Sequence, residues 1–340
     1  MRAMVLDPAG ESRYVPAELA LPEPGPGQLR LKLRAASVNY RDHFIRLHPQ
    51  SSYGGDMRGR VPLSDGVGVI DELGEGVSGW AVGDRVCPGF FPGWCNGAPT
   101  PDGLAHALGA AAAGGTAQQY LVVPAAACVA APAHMSDAEA ATLTCAGLTA
   151  WVSLVEYGRL RAGQTVLVQG TGGVSLFALQ IAKAMGARVI LLSSSDEKLE
   201  RARKLGADEL INYRAVPDWQ VPARDMTGGG VDHIVEVGGE ATMARSFEAL
   251  GPGGSIGLIG VLTGFGGAIP YDQVKEKLLH VHGVYVGSVA EFARMNAFLA
   301  EHRIRPVVDA VSPLDELDEV VTRLGEGRHF GKLAVEINAA

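Results

Sequence analysis

Short runs in which apolar residues interleave with polar ones mark the first part of the chain, at Gln28 to Ala35, Val67 to Leu73 and Arg85 to Cys87. A period of two puts every second side chain on one face, so these runs predict strands, and the Gly and Pro between them predict turns. Up to about residue 125 the chain therefore reads as a mostly β region. Between about residues 160 and 260 the texture changes. β-like runs at Thr165 to Gln169 and Arg188 to Leu192 alternate there with helical patterns at Val174 to Met185 and Glu197 to Leu205. Further strands are predicted at Val231 to Val237 and Ser255 to Gly260, with a helix from about Thr242 to Leu250 between them. This alternation is the mark of βαβ units and a parallel sheet.

Two helix boundaries follow from local chemistry. Ser136 is followed three positions later by Glu139, as in a capping box, and Gly186 after Met185 predicts a left-handed helix stop. In the helix after Gln169, the residues Val174, Leu176, Phe177, Leu179, Ile181 and Met185 cover most of the circumference, which predicts a buried helix. Beyond about residue 270 a β-like run at Val281 to Val286, a helical stretch at Glu291 to Glu301 and a closing strand at Lys332 to Ile337 are expected. No internal repeat is found.

Composition narrows the class. The 340 residues suffice for about two domains, and 47% apolar with 19% charged residues suits a soluble globular protein. Lys and Arg number 29 against 37 Asp and Glu, a formal net charge of −8, which disfavours a nucleic-acid partner. Met1 to Gly10 lack the basic start and apolar stretch of a secretory signal, so a cytoplasmic protein is expected. The most apolar stretch, Tyr120 to Ala133, is short for a bilayer span and interrupted by Pro124 and Pro132, so no membrane association is expected. Cys87, Cys95, Cys128 and Cys145 form no CxxC pair and predict no disulfide.

Gly170-Thr171-Gly172-Gly173-Val174-Ser175 follows directly on an apolar strand and opens a helix, the context in which glycines cradle a pyrophosphate. Gly170, Gly172, Gly173 and Val174 are the expected contacts, because free N–H groups at a helix N-terminus bind an anion only where side chains do not hold it off. Ser175 replaces the last Gly of the GxGxxG form with another small residue. After the second strand comes Ser193-Ser194-Ser195, where an NAD-preferring site would offer a carboxylate to the ribose hydroxyls. Lys198 and Arg201 lie just beyond, and Tyr213 follows the next strand, so a 2′-phosphate would gain charge and hydroxyl donors there. NADPH is expected over NADH. The alternative is that Lys198 and Arg201 simply face solvent on a charged helix.

With the cradle in mid-chain, the sequence resembles the medium-chain dehydrogenase/reductase superfamily over nearly its whole length. The resemblance rests on Ala36-Ser37-Val38-Asn39-Tyr40-Arg41-Asp42, on Asp71 to Val86, on Cys145 to Trp151, and on His329-Phe330-Gly331-Lys332. It implies an α/β fold in which a central Rossmann domain, a doubly wound parallel sheet at 125–268, is joined to a mostly β GroES-like catalytic domain at 1–124 and 269–340. The zinc ligands of that superfamily do not carry over. Asn39 stands where the zinc enzymes have their first Cys, Leu63-Ser64-Asp65 stands for Gly-His-Glu, and only Cys145 matches, whereas a catalytic zinc takes about three protein ligands. His280 and His282 share a strand face but lack a third ligand. The chain is thus similar to the zinc-free quinone oxidoreductase and enoyl reductase branch, which implies a small apolar quinone or activated alkene as hydride acceptor.

By that resemblance Asn39 is a donor to a developing oxyanion, Tyr40 is a donor or stacking wall, and Tyr53 is a second proton-donor candidate. The bland alternatives are an Asn that ties loop backbone and tyrosines that merely pack. Arg41 and Asp42 are expected to be structural. Thr149, Val237, Gly238, Ile259 and Gly260 resemble nicotinamide and ribose contacts, and Phe330 and Lys332 resemble residues that close over the cofactor. Phe90, Phe91 and Trp94 are expected to form an apolar lid, the alternative being a self-packed loop. The edge near 281–286 implies a homodimer. Two competing readings remain: a zinc-free alcohol or carbonyl dehydrogenase, and an NADPH-binding structural or sensor protein with little turnover.

Overall fold

The computed structural model describes residues 1–51 and 54–338, so the proton-donor candidate Tyr53 lies outside the described residues. The chain forms two compact units, one of Met1–Leu148 together with the chain from Val286 onward, the other of Thr149–Tyr285. In chain order the strands of the first unit are β1 (Arg2–Leu6), β2 (Tyr14–Glu18), β3 (Gln28–Ser37), β4 (Asp65–Leu73), β5 (Arg85–Pro88), β6 (Tyr120–Pro124) and β7 (Cys128–Ala130). Those of the second are β8 (Thr165–Gln169), β9 (Arg188–Ser193), β10 (Glu209–Asn212), β11 (Val231–Glu236), β12 (Leu250–Leu258) and β13 (His280–Gly283). The chain then returns to the first unit with β14 (Val308–Pro313) and β15 (Lys332–Glu336).

The first unit is organised around β3. Leu29, Leu31 and Leu33 are fully buried, while Gln28, Arg30, Lys32 and Arg34 alternate onto the other face, as the period of two predicts. One edge of β3 pairs with β4 along its length; the other is shared by β6 near Gln28–Lys32 and β15 near Ala35–Ser37. The register sets Ser37 opposite both Asp65, at the start of β4, and Ala334, in β15. Three strand ends, distant in sequence, therefore meet at Ser37. The helix Tyr40–Leu47 follows at once, and its capping box uses Asp42, whose carboxylate accepts from the Asn39 N–H at 2.7 Å.

In the second unit six strands pair in parallel in the order β10-β9-β8-β11-β12-β13. This is the doubly wound order, with its topological switch between β8 and β11. Every residue of β8 is buried, the near-continuous apolar run of a strand covered on both faces. The helix Gly173–Ala184 buries Ser175, Leu176, Phe177, Ala178, Leu179, Ile181 and Ala182. Gly186 has φ +77, the expected left-handed stop, and the Ser136–Glu139 capping box is present.

The structure differs from the sequence expectations at several boundaries. The units divide after Leu148 and Tyr285 rather than at 124/125 and 268/269, because β7 pairs with β5 and the Thr144 hydroxyl donates to the Pro88 carbonyl, holding residues 125–148 in the first unit. β12 begins at Leu250 rather than Ser255. The run at 281–286 is a strand only over His280–Gly283, and Val286 turns to φ +59. Phe90, Phe91 and Trp94 are not a lid. They are 1%, 1% and 6% exposed, the Arg41 guanidinium lies over Phe90, and the Trp94 indole donates to the Gly97 carbonyl at 2.9 Å. Aromatic bulk in a Gly and Pro loop was here core material, the self-packed alternative.

One buried imidazole in β11 makes stability depend on pH. Gln164 Oε1 accepts from the Arg161 N–H at 2.7 Å, so His233 Nε2, 3.1 Å from the same oxygen, carries the hydrogen, and the buried Nδ1 has no partner among the described residues. Burial pushes the His233 pKa down to about 4. An unfolded imidazole protonates near pH 6.5, so this contribution to stability is intact above that value and is lost as pH falls towards 4. Its full size is about 3 kcal/mol. Urea unfolding at pH 7 and pH 4.5 is expected to show a shallower acid loss in His233→Gln than in the wild-type chain.

Candidate functional site

Two constellations carry chemistry, one in each unit. In the second unit β8 delivers the chain to Gly170 at φ +76, a conformation that favours glycine, and its N–H donates to the Leu192 carbonyl at 2.7 Å. Gly172 is the N-cap of the helix Gly173–Ala184, and a Cβ built on it meets nothing within 4 Å. The space outside the turn is open to the first-turn N–H groups of Gly173 and Val174, which have no carbonyl within the helix to receive them. Ser175 is buried and donates to the Gln169 carbonyl at 2.6 Å, locking helix to strand. A dinucleotide pyrophosphate fits this cradle.

At the end of β9, Ser193 is buried and Ser194 half-buried, and Ser195 caps the helix Asp196–Lys204 by accepting from the Lys198 N–H at 3.3 Å. The first carboxylate beyond the strand, Asp196, accepts from Asn212 Nδ2 at 2.7 Å. Lys198 is half-buried, and Tyr213 is exposed with its N–H on the Ser193 carbonyl at 3.1 Å. Ser193, Ser194, Lys198 and Tyr213 thus gather around one strand end.

At the switch point the carboxyl ends of β8 and β11 meet through a buried polar network that sequence reading missed. Glu236 is fully buried. Its Oε1 accepts from the N–H groups of Gly238 (2.8 Å) and Gly239 (3.0 Å) and from the Thr242 hydroxyl (2.6 Å); its Oε2 accepts from Gln169 Nε2 (2.6 Å) and from the Ser246 hydroxyl. Gln169 Oε1 accepts in turn from the Val237 and Gly238 N–H groups at 3.2 Å each. The Ile259 and Gly260 N–H groups bond to the Glu236 carbonyl, and a Cβ on Gly260 would stand 2.0 Å from the Val237 carbonyl oxygen. Val237, Gly238, Ile259 and Gly260 are therefore fixed as one rigid turn. The signal in the sequence was a carboxylate closing a strand directly after the apolar pair Ile234-Val235. Thr149 is buried at the start of this unit.

In the first unit the meeting point of β3, β4 and β15 holds Asn39, Asp65 and Lys332. Lys332 Nζ donates to the Val38 carbonyl (2.7 Å) and to Asn39 Oδ1 (2.6 Å) and lies 3.5 Å from Asp65 Oδ2. Asp65 is fully buried and also receives the Ser37 hydroxyl at 3.1 Å and the Ser64 hydroxyl at 3.0 Å. Tyr40, beside Asn39, is 37% exposed, and Phe330 is buried. Arg41 donates to the Leu108 carbonyl at 2.8 Å. Burial raises the Asp42 carboxyl to about 6.

Zinc is tested against the same residues. Asn39 offers a neutral amide oxygen already bonded to an ammonium, and Asp65 is paired with that ammonium. Cys145 is the thiol beside them, and burial pushes its pKa up, with Asp65 and Lys332 as electrostatic neighbours. Zn²⁺ takes about three ligands such as thiolate, imidazole or free carboxylate, and this donor set does not fit it. Among the described residues, no group of three or more His, Cys, Asp or Glu is placed to hold a metal ion, and no helix is long and apolar enough to cross a membrane.

Residues 25–133 match the family model described as an alcohol dehydrogenase GroES-like domain, and residues 173–301 match that of a zinc-binding dehydrogenase. The chain is 42% identical over 340 residues to a zinc-type alcohol dehydrogenase-like protein of Schizosaccharomyces pombe, covering 97% of each. A solved NAD-dependent alcohol dehydrogenase is 34% identical with a TM-score of 0.87, covering 99% of this chain and 100% of that one. A solved 2-haloacrylate reductase is 25% identical with a TM-score of 0.80, covering 100% of both.

The Glu236 network yields a direct expectation. A glutamine at this position must turn its NH₂ towards groups that also donate, so Glu236→Gln is expected to lose about 2 to 3 kcal/mol of stability in urea unfolding. It is also expected to weaken binding of the nicotinamide cofactor in a fluorescence titration.

Proposed function

The chain belongs to the medium-chain dehydrogenase/reductase superfamily, and on that premise we propose that this oxidoreductase passes hydride from NADPH to a quinone or an activated C=C bond without zinc. The observation that carries the reading is the Lys332–Asn39 bond, a hydrogen-bonded amide in the place where zinc-bearing relatives bind metal. Without a Lewis acid, an alkoxide on a simple alcohol loses several kcal/mol of stabilisation. A quinone or enone spreads the incoming charge into its own conjugated carbonyl, where a few well-placed donors suffice. The reductase of similar fold, whose substrate is a haloacrylate by name, supports an electron-poor alkene.

The nicotinamide cofactor supplies the hydride when bound. In this proposal Gly170, Gly172, Gly173 and Val174 hold its pyrophosphate, and Ser193, Ser194, Lys198 and Tyr213 hold its 2′-phosphate. Thr149 and the rigid turn of Val237, Gly238, Ile259 and Gly260 orient the nicotinamide, with Phe330 alongside. Asn39 donates to the oxyanion of the acceptor, and Tyr40 or Tyr53 returns the proton. The acceptor is small and apolar, although the aromatic residues expected to form a lid no longer argue for it. A homodimer through β13 is part of the same reading. That strand stands at the edge of its sheet, and Ile269, Tyr271, Leu278 and Tyr285 are exposed near it in sequence, an apolar edge of the kind a second copy covers.

Chelator-treated protein is expected to oxidise NADPH with quinones or α,β-unsaturated carbonyls at a rate that added zinc leaves unchanged. Turnover only of aldehydes, or only with zinc, would overturn the reading in favour of an alcohol or carbonyl dehydrogenase. Silence with every acceptor despite NADPH binding would favour a sensor. Ser194→Asp is expected to raise the KM for NADPH about tenfold by placing a carboxylate beside the 2′-phosphate, with little change for NADH. Light scattering at micromolar concentration is expected to give twice the 35.5 kDa chain mass.

A further inference from the structure

Asn39 carries an orphan. Its Nδ2 is buried and has no hydrogen-bond partner among the described residues, whereas its Oδ1 sits 2.6 Å from Lys332 Nζ. An ammonium has donors and no acceptor, so the atom facing it has to be the carbonyl oxygen and the flipped amide is excluded. The NH₂ end is thereby held away from Lys332. A buried donor without an acceptor calls for an explanation, and for this NH₂ a water or a bound molecule would supply the acceptor.

Lys332 itself has nothing left to offer such a partner. Its three donors face the Val38 carbonyl, Asn39 Oδ1 and Asp65 Oδ2, and it is 3% exposed. Its charge is balanced by Asp65, which the Ser37 and Ser64 hydroxyls hold in place. Any effect of this ammonium on a reacting molecule has to pass through the amide it grips.

We propose that Lys332 is a positioning residue that locks the Asn39 amide with its NH₂ turned away from the ammonium, as the donor to the oxyanion formed on the hydride acceptor. The ammonium on Oδ1 also polarises the amide and makes Nδ2–H a stronger donor, since hydrogen bonds in a chain reinforce one another. In place of a metal that would touch the oxyanion directly, the chain carries a cation that acts one residue removed. The inference rests on the reductase reading above, and it moves Lys332 from a residue expected to close over the cofactor to one that serves the acceptor.

The test is a double-mutant cycle of Asn39→Ala and Lys332→Met, measured on whichever acceptor the wild-type protein reduces. Asn39→Ala is expected to lower kcat about 100-fold, the scale of a lost oxyanion donor, and Lys332→Met about tenfold or more. The KM for NADPH stays within about twofold, and Lys332→Arg recovers part of the loss. In the Asn39→Ala background Lys332→Met is expected to cost less than about twofold, because the residue it acts through is gone. Equal losses with and without Asn39 would overturn the proposal. Lys332→Met leaves Asp65 buried without its cation, so Lys332→Met/Asp65→Asn is run beside it as the variant that keeps the fold. A second arm needs no turnover. The Asn39 side-chain amide resonances, assigned by their absence in Asn39→Asp, are expected to shift in the Lys332 variants while those of Asn338 stay. Unmoved Asn39 resonances would overturn the proposal, whereas failure to reduce any acceptor would count against the reductase reading alone.

Discussion

An ammonium inside a β unit needs an opposite charge and an acceptor for each of its protons, and the first unit meets both needs where β3, β4 and β15 converge. The register that sets Ser37 opposite Asp65 and Ala334 is what brings Lys332, Asp65 and the chain entering the helix Tyr40–Leu47 to one place. Losing either Lys332 or Asp65 would leave the other's charge stranded, and a stranded buried charge costs several kcal/mol. The interaction is thus weak evidence for extra stability and strong evidence for a fixed geometry. Asn39 inherits that geometry.

The second unit solves the complementary problem with the opposite sign. There a buried carboxylate, Glu236, gathers backbone N–H groups and hydroxyls at the carboxyl ends of two parallel strands. Its neutral partner Gln169 spreads the same network across the switch point. In both units a charge placed at strand ends converts flexible connections into rigid ones. Turns fixed in advance need no reorganisation when a ligand binds, so the two networks suit an oxidoreductase.

The sequence was most readable where function depends on local order. The alternation around Leu29, Leu31 and Leu33, the strand and glycine turn at Thr165 to Gly173, and the Ser136 capping box all follow from neighbours a few positions apart. Lys332 was legible as a residue of interest but not as a partner of Asn39, because their contact spans 293 positions and follows from sheet register, which no short window encodes. Glu236 escaped notice in part for a related reason: Gln169, which links it to β8, lies 67 positions away, while its other partners lie on the turn before the helix Met243–Ala249 and on that helix. The aromatic residues at 90, 91 and 94 were misread because loop composition says nothing about whether a loop is swallowed by the core. Val286 shows how a run of β-formers stops being a strand once its backbone turns left-handed.

That β15 lies between β14 and β3 has a consequence for how the chain acquires its shape. Strand β3 leaves the ribosome early, yet one of its partners is built from residues 332–336, and the Lys332 contact with Val38 spans 294 positions. The second unit draws on one continuous stretch and can close first, whereas the first must hold β3 partly unpaired while the whole of the second is synthesised. Non-local pairing of this kind is slow and leaves an open edge exposed meanwhile. The last strand to dock also delivers the only ammonium contacting Asp65 among the described residues, so the carboxylate cannot be comfortably buried as an anion before β15 arrives. Burial of the Asp65 charge is thereby tied to the pairing of the final strand.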